Sequence, residues 1–360
     1  MNRYQPARIV VEASVAEAPL TRRILHRLAG TPVEIVEGLT PEIRRIAEAT
    51  DPIAAGKGVM AISRFHGPFL KKCPGTQGFV CCNYAVINTV TGCPLDCTYC
   101  ILQAYLANNP MIRIFANTGD LFSELEEAFA ASPGRHFRIG TGELTDSLAL
   151  DSVTGFSREL VPFFAAQTNA TLELKTKTDC VENLLDLPHG GRTVVGWSVN
   201  PESLIGSDEK GAASLAARLD AARRCHGAGY GIAFHFDPIV FEEGWAERYR
   251  SVVEKIFQAV PAEAIAWISL GGLRFPRELK PFMQNRFPES RLTTGEFVPC
   301  RDNKYRTIRP IRIPGYRKMV SWIRGYGPTV PVYLCMESRD VWESVFGELP
   351  SGMENLAGIF

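Results

Sequence analysis

Residues 91–102 read TGCPLDCTYCIL and set Cys93, Cys97 and Cys100 at C-x3-C-x2-C, directly after the β-type run YAVINTV at 84–90. The pattern predicts a strand, a tight loop and a short helix, with three thiols crowded into eight residues of loop. Thiolates are soft ligands that suit iron–sulfur clusters, and each thiol gives up its proton on coordination. Three ligands on a four-iron cube leave one iron open to a small molecule, whereas a ferredoxin cluster carries four cysteines. A structural zinc site with a fourth thiolate from Cys81 or Cys82, and three core cysteines that ligate nothing, are the alternatives. Structural zinc favours paired C-x2-C knuckles, and this region has one pair only, so a [4Fe–4S] cluster on the three cysteines is the expectation.

Outward from that loop, β-type runs at 113–116, 138–140, 171–174, 194–198, 231–236 and 264–270 alternate with helical patterns. This is the signature of parallel strands joined by right-handed crossovers. The clearest helix spans 212–228, where Leu215, Leu219 and Ala222 recur at helical spacing and Gly229 supplies a stop. Upstream, a strand at 8–12, a helix at 20–28 and a strand at 33–36 predict a small βαβ element. A helix near 41–49 follows, and then a stretch containing Gly and Pro at 52–78. No GxGxxG follows the first strand, which disfavours a dinucleotide-binding sheet. The expected fold is α/β: a partial (β/α)6 TIM-like barrel with an N-terminal βαβ extension. Its expected divisions are 1–60, 61–290 and a C-terminal basic substrate-binding segment at 291–360 with a final strand and helix.

With 360 residues, 46% of them hydrophobic and 22% charged, the chain is long and apolar enough for a large core and is not of disordered composition. Lys plus Arg equals Asp plus Glu at 39 each, so no overall field attracts nucleic acid or an acidic membrane. Any such attraction must be local. Charge interrupts the first apolar stretch, which therefore lacks the h-region of a signal peptide. Apolar runs such as AIAWISLGGL at 264–273 fall short of the roughly 20 residues that cross a bilayer. The expectation is a cytoplasmic chain with no membrane segment, whose ten cysteines are core residues, ligands or redox groups rather than disulfides.

The local exception is 300–325, where eight Lys or Arg face one Asp among Tyr305, Tyr316 and Trp322. Such a mixture suits phosphate contact and base stacking, and equally a solvated basic face. Lys304, Tyr305 and Arg306 are the candidate substrate contacts. Cys73, Cys81 and Cys82 read either as buried apolar groups or as ligands of a second metal. His235, on an apolar strand, reads either as a core residue or as a catalytic one.

The cysteine loop resembles that of the radical S-adenosylmethionine enzymes, and the surrounding text is similar to the spore photoproduct lyase branch. The pieces that carry the likeness are TGCPLDCTYCILQAYL at 91–106, RIGTGELTDSLALD at 138–151, LELKTKTDCVENLL at 172–185, WSVNPE at 197–202 and AGYGIAFHFDPI at 228–239. The resemblance implies a [4Fe–4S] cluster, S-adenosyl-L-methionine bound at its open iron, and a 5′-deoxyadenosyl radical that acts on a thymine photolesion in DNA. It further implies an electron donor such as a flavodoxin or ferredoxin. Thr141, Gly142 and Glu143 would lie against the cofactor amine, Lys177 and Ser198 would hold its carboxylate, Asp237 would lie near the adenosyl group, and Tyr99 would relay a radical.

Two positions depart from the branch. Ile101 stands where it has a second tyrosine, and its hydrogen-donor cysteine falls on Glu143, with no cysteine between Cys100 and Cys180. Cys300 and Cys335 become the candidate catalytic thiols. The alternatives are the same chemistry on another nucleotide or a small molecule, and a zinc-stabilised nucleic-acid binder.

Overall fold

The computed structural model describes residues 4–75, 79–80 and 82–349. Its larger sheet has eight strands, in the spatial order 332–334, 265–272, 231–239, 193–198, 170–176, 137–140, 85–87 and 70–72. The seven from Ala85–Ile87 to Val332–Leu334 pair parallel, and Leu70–Lys72 joins the edge antiparallel. Strands covered on both faces should be apolar almost throughout, and Thr193–Ser198 is buried along its whole length. The sheet curls without closing. A bridge between Phe79 and Ser338, beside a Val80 N–H to Glu337 carbonyl bond of 3.2 Å, links the segments flanking its first and last parallel strands.

This is the expected partial barrel, with Val332–Leu334 added as a seventh parallel strand. The crossover helix Leu215–Gly227 is capped by Ser214, whose hydroxyl accepts from Ala217 N at 3.2 Å, and Gly229 takes φ +92° just beyond its end.

The N-terminal βαβ element forms as expected, with Arg8–Glu12 and Val33–Val36 parallel and helix Pro19–Arg27 between them. Its sheet is larger than expected. Val59–Ser63 pairs with Arg8–Glu12, and Ile112–Phe115 pairs with Val59–Ser63, so the run assigned to the barrel at 113–116 belongs to this sheet instead. The run at 84–90 is also split. Ala85–Ile87 enters the barrel, whereas Val90–Thr91 pairs antiparallel with the 112–115 strand. All three strands are largely buried, and periodicity does not say which sheet buries an apolar run. The cysteine loop therefore leaves one strand of the N-terminal sheet and returns to the next through helix Leu102–Tyr105.

Beyond the barrel, Arg274–Pro276, Phe297–Pro299 and Lys304–Thr307 form an antiparallel sheet, followed by helix Arg309–Tyr326, the last barrel strand and helix Arg339–Phe346. Among the described residues no helix is long and apolar enough to cross a membrane.

Candidate active site

One cavity of about 410 Å³ opens at the C-terminal ends of the barrel strands, and the sequence places chemistry on every side of it. Cys93, Cys97 and Cys100 line one wall together with Tyr99 and Ile101. Gly92 starts the loop at φ +87°, and a Cβ there would stand 2.7 Å from the Met111 carbonyl oxygen, so glycine is required by both conformation and space. Burial pushes the Cys93 thiol up to about 12, with the Asp146 carboxylate adding to it, and burial beside Glu209 raises Cys97 well above the usual thiol range.

The same lining includes Gly142, Glu143, Lys177, Ser198 and Asp237. Each follows or ends a parallel strand, the usual place for ligands in such sheets. Asn88 Nδ2 donates to Glu143 Oε2 at 2.9 Å. Lys177 Nζ stands 3.7 Å from Glu209 and lies over the Tyr99 ring, whose hydroxyl donates to the same carboxylate. Burial would raise Glu209, but Lys177 and Arg218 hold it down at about 2. Asp237 is gripped by both ends of Arg274, at 2.9 and 3.2 Å, which overcomes burial and lowers it to about 2. Arg274 Nη2 also donates to Cys335 Sγ at 3.8 Å, and Cys335 lines the cavity.

Several expected residues are absent from this lining. Thr141 is buried beneath the turn, and Cys300 sits in the 297–307 hairpin with its thiol 3.9 Å from the Val298 carbonyl oxygen. Of the three candidate substrate contacts only Lys304 lines the cavity. Tyr305 packs against Phe275 on the other face of its strand. Arg306 is 2% exposed and bound by Asp302 at 2.6 and 2.7 Å, so it has no surface to offer a ligand. Ion pairs of Arg309 with Asp340 and of Arg312 with Glu337 likewise absorb much of the local positive charge. Cys73 and Cys82 line the cavity, while Cys81 lies outside the described residues.

Sequence reasoning missed Lys175, Arg274 and Glu209 at the site, and a polar stack inside the barrel. There Arg138 donates to Glu173 at 2.8 and 3.1 Å and to the Tyr333 hydroxyl at 3.1 Å, Glu173 stands 2.8 Å from His235 Nε2, and His235 Nδ1 lies 2.7 Å from the Ser269 hydroxyl. His235 is thus the core residue of the two readings. Burial lowers it to about 4, so it is neutral. Charged residues inside otherwise apolar strands were the available signal. Glu209 had none, because it lies in a short two-residue strand paired with Asp96–Cys97.

Among the described residues no group of three or more His, Cys, Asp or Glu is arranged to hold one metal ion. In an iron–sulfur cluster the thiolates bind different irons, so a wall of separate thiols suits the donor chemistry. Thr145, whose buried Oγ1 has no hydrogen-bond partner, is also among the residues that line the cavity.

A curled parallel half-barrel carrying a C-x3-C-x2-C loop at its mouth defines, by architecture, the radical S-adenosylmethionine class. Residues 4–307 match the family model described as "Spore photoproduct lyase", and the chain belongs to that family. It is 29% identical over 212 residues to the spore photoproduct lyase of Geobacillus sp. (strain Y412MC61), covering 58% of this chain and 62% of that one. To that of Bacillus subtilis (strain 168) it is 28% identical over 208 residues, covering 57% and 61%. The matches thus span about three fifths of these two relatives. A solved spore photoproduct lyase complexed with dinucleoside spore photoproduct superposes with a TM-score of 0.83 at 23% identity, over 93% of this chain and 100% of that one, which shows the shared fold.

Proposed function

We propose that this chain is a radical S-adenosylmethionine enzyme that cleaves a thymine photolesion in DNA. The observation that carries the reading is the convergence of Cys93, Cys97 and Cys100 on the same cavity as Gly142, Glu143, Lys177, Ser198 and Asp237. The relatives, both spore photoproduct lyases, and a solved lyase with bound AdoMet and dinucleoside spore photoproduct support it. Together the [4Fe–4S] cluster and S-adenosyl-L-methionine supply a 5′-deoxyadenosyl radical that removes a hydrogen atom from a substrate carbon.

The chain's own residues bind and orient. The three cysteines hold the cluster, Lys177 and Ser198 take the cofactor carboxylate, Gly142 and Glu143 its amine, and Asp237, fixed by Arg274, its adenosyl group. The C-terminal segment supplies Lys304 for a phosphate of the DNA and Cys335 as the thiol that returns a hydrogen atom. In that return the S–H bond breaks and a C–H bond forms on the substrate radical. The thiyl radical takes a hydrogen atom from the Tyr99 hydroxyl, and the tyrosyl radical so left is reduced by one electron from a flavodoxin or ferredoxin with a proton from solvent. A flavodoxin or ferredoxin supplies the electron that starts the cycle.

A second reading keeps the chemistry and changes the substrate to another nucleotide. It is favoured by Glu143 and Ile101 in the cavity wall, where the branch has a cysteine and a tyrosine. Anaerobic reconstitution followed by incubation with reductant, cofactor and UV-irradiated DNA separates the two. Lesion loss with restored thymine supports the lyase. Cofactor cleavage without lesion loss moves the case to the second reading, and zinc in place of about four iron and four sulfide per chain overturns both.

A further inference from the structure

We propose that Lys57, in the N-terminal unit, is a positioning residue for the cluster loop, bracing the backbone between the first two cysteines and raising the reduction potential of the cluster held there. This rests on the functional reading above. Lys57 ends the short helix Pro52–Lys57, and its ammonium donates to the carbonyl oxygens of Cys93 at 2.8 Å and Leu95 at 2.5 Å. It also stands 3.6 Å from Asp96.

The other end of that helix is tied to the same loop. Asp51 caps it, accepting from the backbone of Ile53 at 3.1 Å and Ala54 at 3.0 Å, and receives Arg286 Nε at 2.8 Å. Arg286 also binds both oxygens of Asp96, at 3.1 and 3.0 Å, and Gln103 Oε1 at 2.6 Å. Gln103 donates in turn to the carbonyl oxygens of Cys97 and Thr98, at 3.1 and 2.9 Å. Gly56 approaches so closely that a Cβ would stand 2.5 Å from the Pro110 carbonyl oxygen. The helix is thereby seated on the segment that follows the loop, and the N-terminal unit clamps the backbone carrying the thiols.

The charges explain the second half of the proposal. Lys57 and Arg286 offset Asp51 and Asp96, so removing the ammonium leaves one carboxylate uncompensated beside the loop. A cluster gains negative charge on reduction, and its potential follows nearby charge, hydrogen bonding and exposure. The Lys57 side chain is 18% exposed, so water screens it only in part.

The test uses the full chain, reconstituted anaerobically, as wild type, K57M and K57R. Iron and sulfide per chain, an EPR-monitored redox titration and a thermal melt are recorded for each. K57M is expected to have a lower midpoint potential, with the reduced-to-oxidised ratio at fixed ambient potential falling about tenfold, which for one electron is about 59 mV. K57R is expected to stay near the wild type. Loss of iron from K57M but not from K57R also supports the proposal. A K57M cluster at the wild-type potential overturns it, as does K57R displaced as far as K57M. Absence of a four-iron cluster from the wild type as well is a different result, and overturns the functional reading together with the inference.

Discussion

The Tyr99 hydroxyl donates to Glu209, and the other oxygen of that carboxylate receives Arg218 Nη2 at 2.5 Å. A tyrosine of the cluster loop is thus anchored through a carboxylate to a crossover helix. Arg218 is fully buried and also donates to the carbonyl oxygens of Ala213 and Ser198, both at 2.9 Å. Removing one partner of a buried pair strands the other's charge. R218M is expected to lose about 3–5 kcal/mol of stability, read by urea denaturation. A loss below 1 kcal/mol would show that the pair is not holding the loop.

Acid should destabilise the fold in two stages. His235 is lowered to about 4 by burial, against about 6.5 in an unfolded chain, so between those values only the unfolded state takes up its proton and stability falls as pH falls. Glu173 and Glu209 are held at about 2 against their ionised partners despite burial. Their contribution is complete above about 4.3, the unfolded value, and is lost as pH drops toward 2. H235N should therefore flatten the urea midpoint between pH 6.5 and 4 relative to the wild type while leaving the lower stage in place. An unchanged slope in the upper stage would assign it to another group.

Gly140 ends a barrel strand directly over Tyr84. A Cβ there would lie 1.5 Å from the Tyr84 hydroxyl oxygen, inside the core. G140A is expected to destabilise by about 1–3 kcal/mol through overpacking. In G119A, near the start of helix Thr118–Ala131, the added methyl meets nothing within 4 Å, and stability should stay within about 1 kcal/mol of the wild type. Equal melting shifts in the two variants would contradict the packing argument.

Two thiols of the C-terminal segment differ in what they face. Cys335 lines the cavity beside Arg274, whereas Cys300 lies in the hairpin. C335S is expected to lower lesion turnover at least about tenfold with cluster content unchanged, a loss of about 1.4 kcal/mol in transition-state stabilisation, and C300S to leave it near the wild type. Turnover assays paired with iron analysis check this, and the reverse pattern would move the hydrogen source to the hairpin.

The strands at 137–140, 170–176, 193–198, 231–239 and 265–272 were legible because a parallel strand buried along most of its length leaves a mainly apolar or β-branched run bounded by turns. The same logic misplaced the 112–115 strand, since burial by either sheet writes the same pattern. Lys304, Tyr305 and Arg306 looked alike as a basic and aromatic cluster. Strand alternation and Asp302 separate them into a cavity residue, a packing residue and a buried ion pair.

Sequence alone determined the three-thiol loop, the α/β alternation and the crossover helix that stops at Gly229, because each is written in residues a few positions apart and follows from coordination chemistry or backbone periodicity. Tertiary structure decided which further groups meet that loop: Cys335 rather than Cys300, Arg274 on Asp237, Glu209 under Tyr99, and Lys57 behind Cys93. Those meetings join residues 36 to 110 positions apart, and no local spacing records which side chains a curled sheet brings to one mouth.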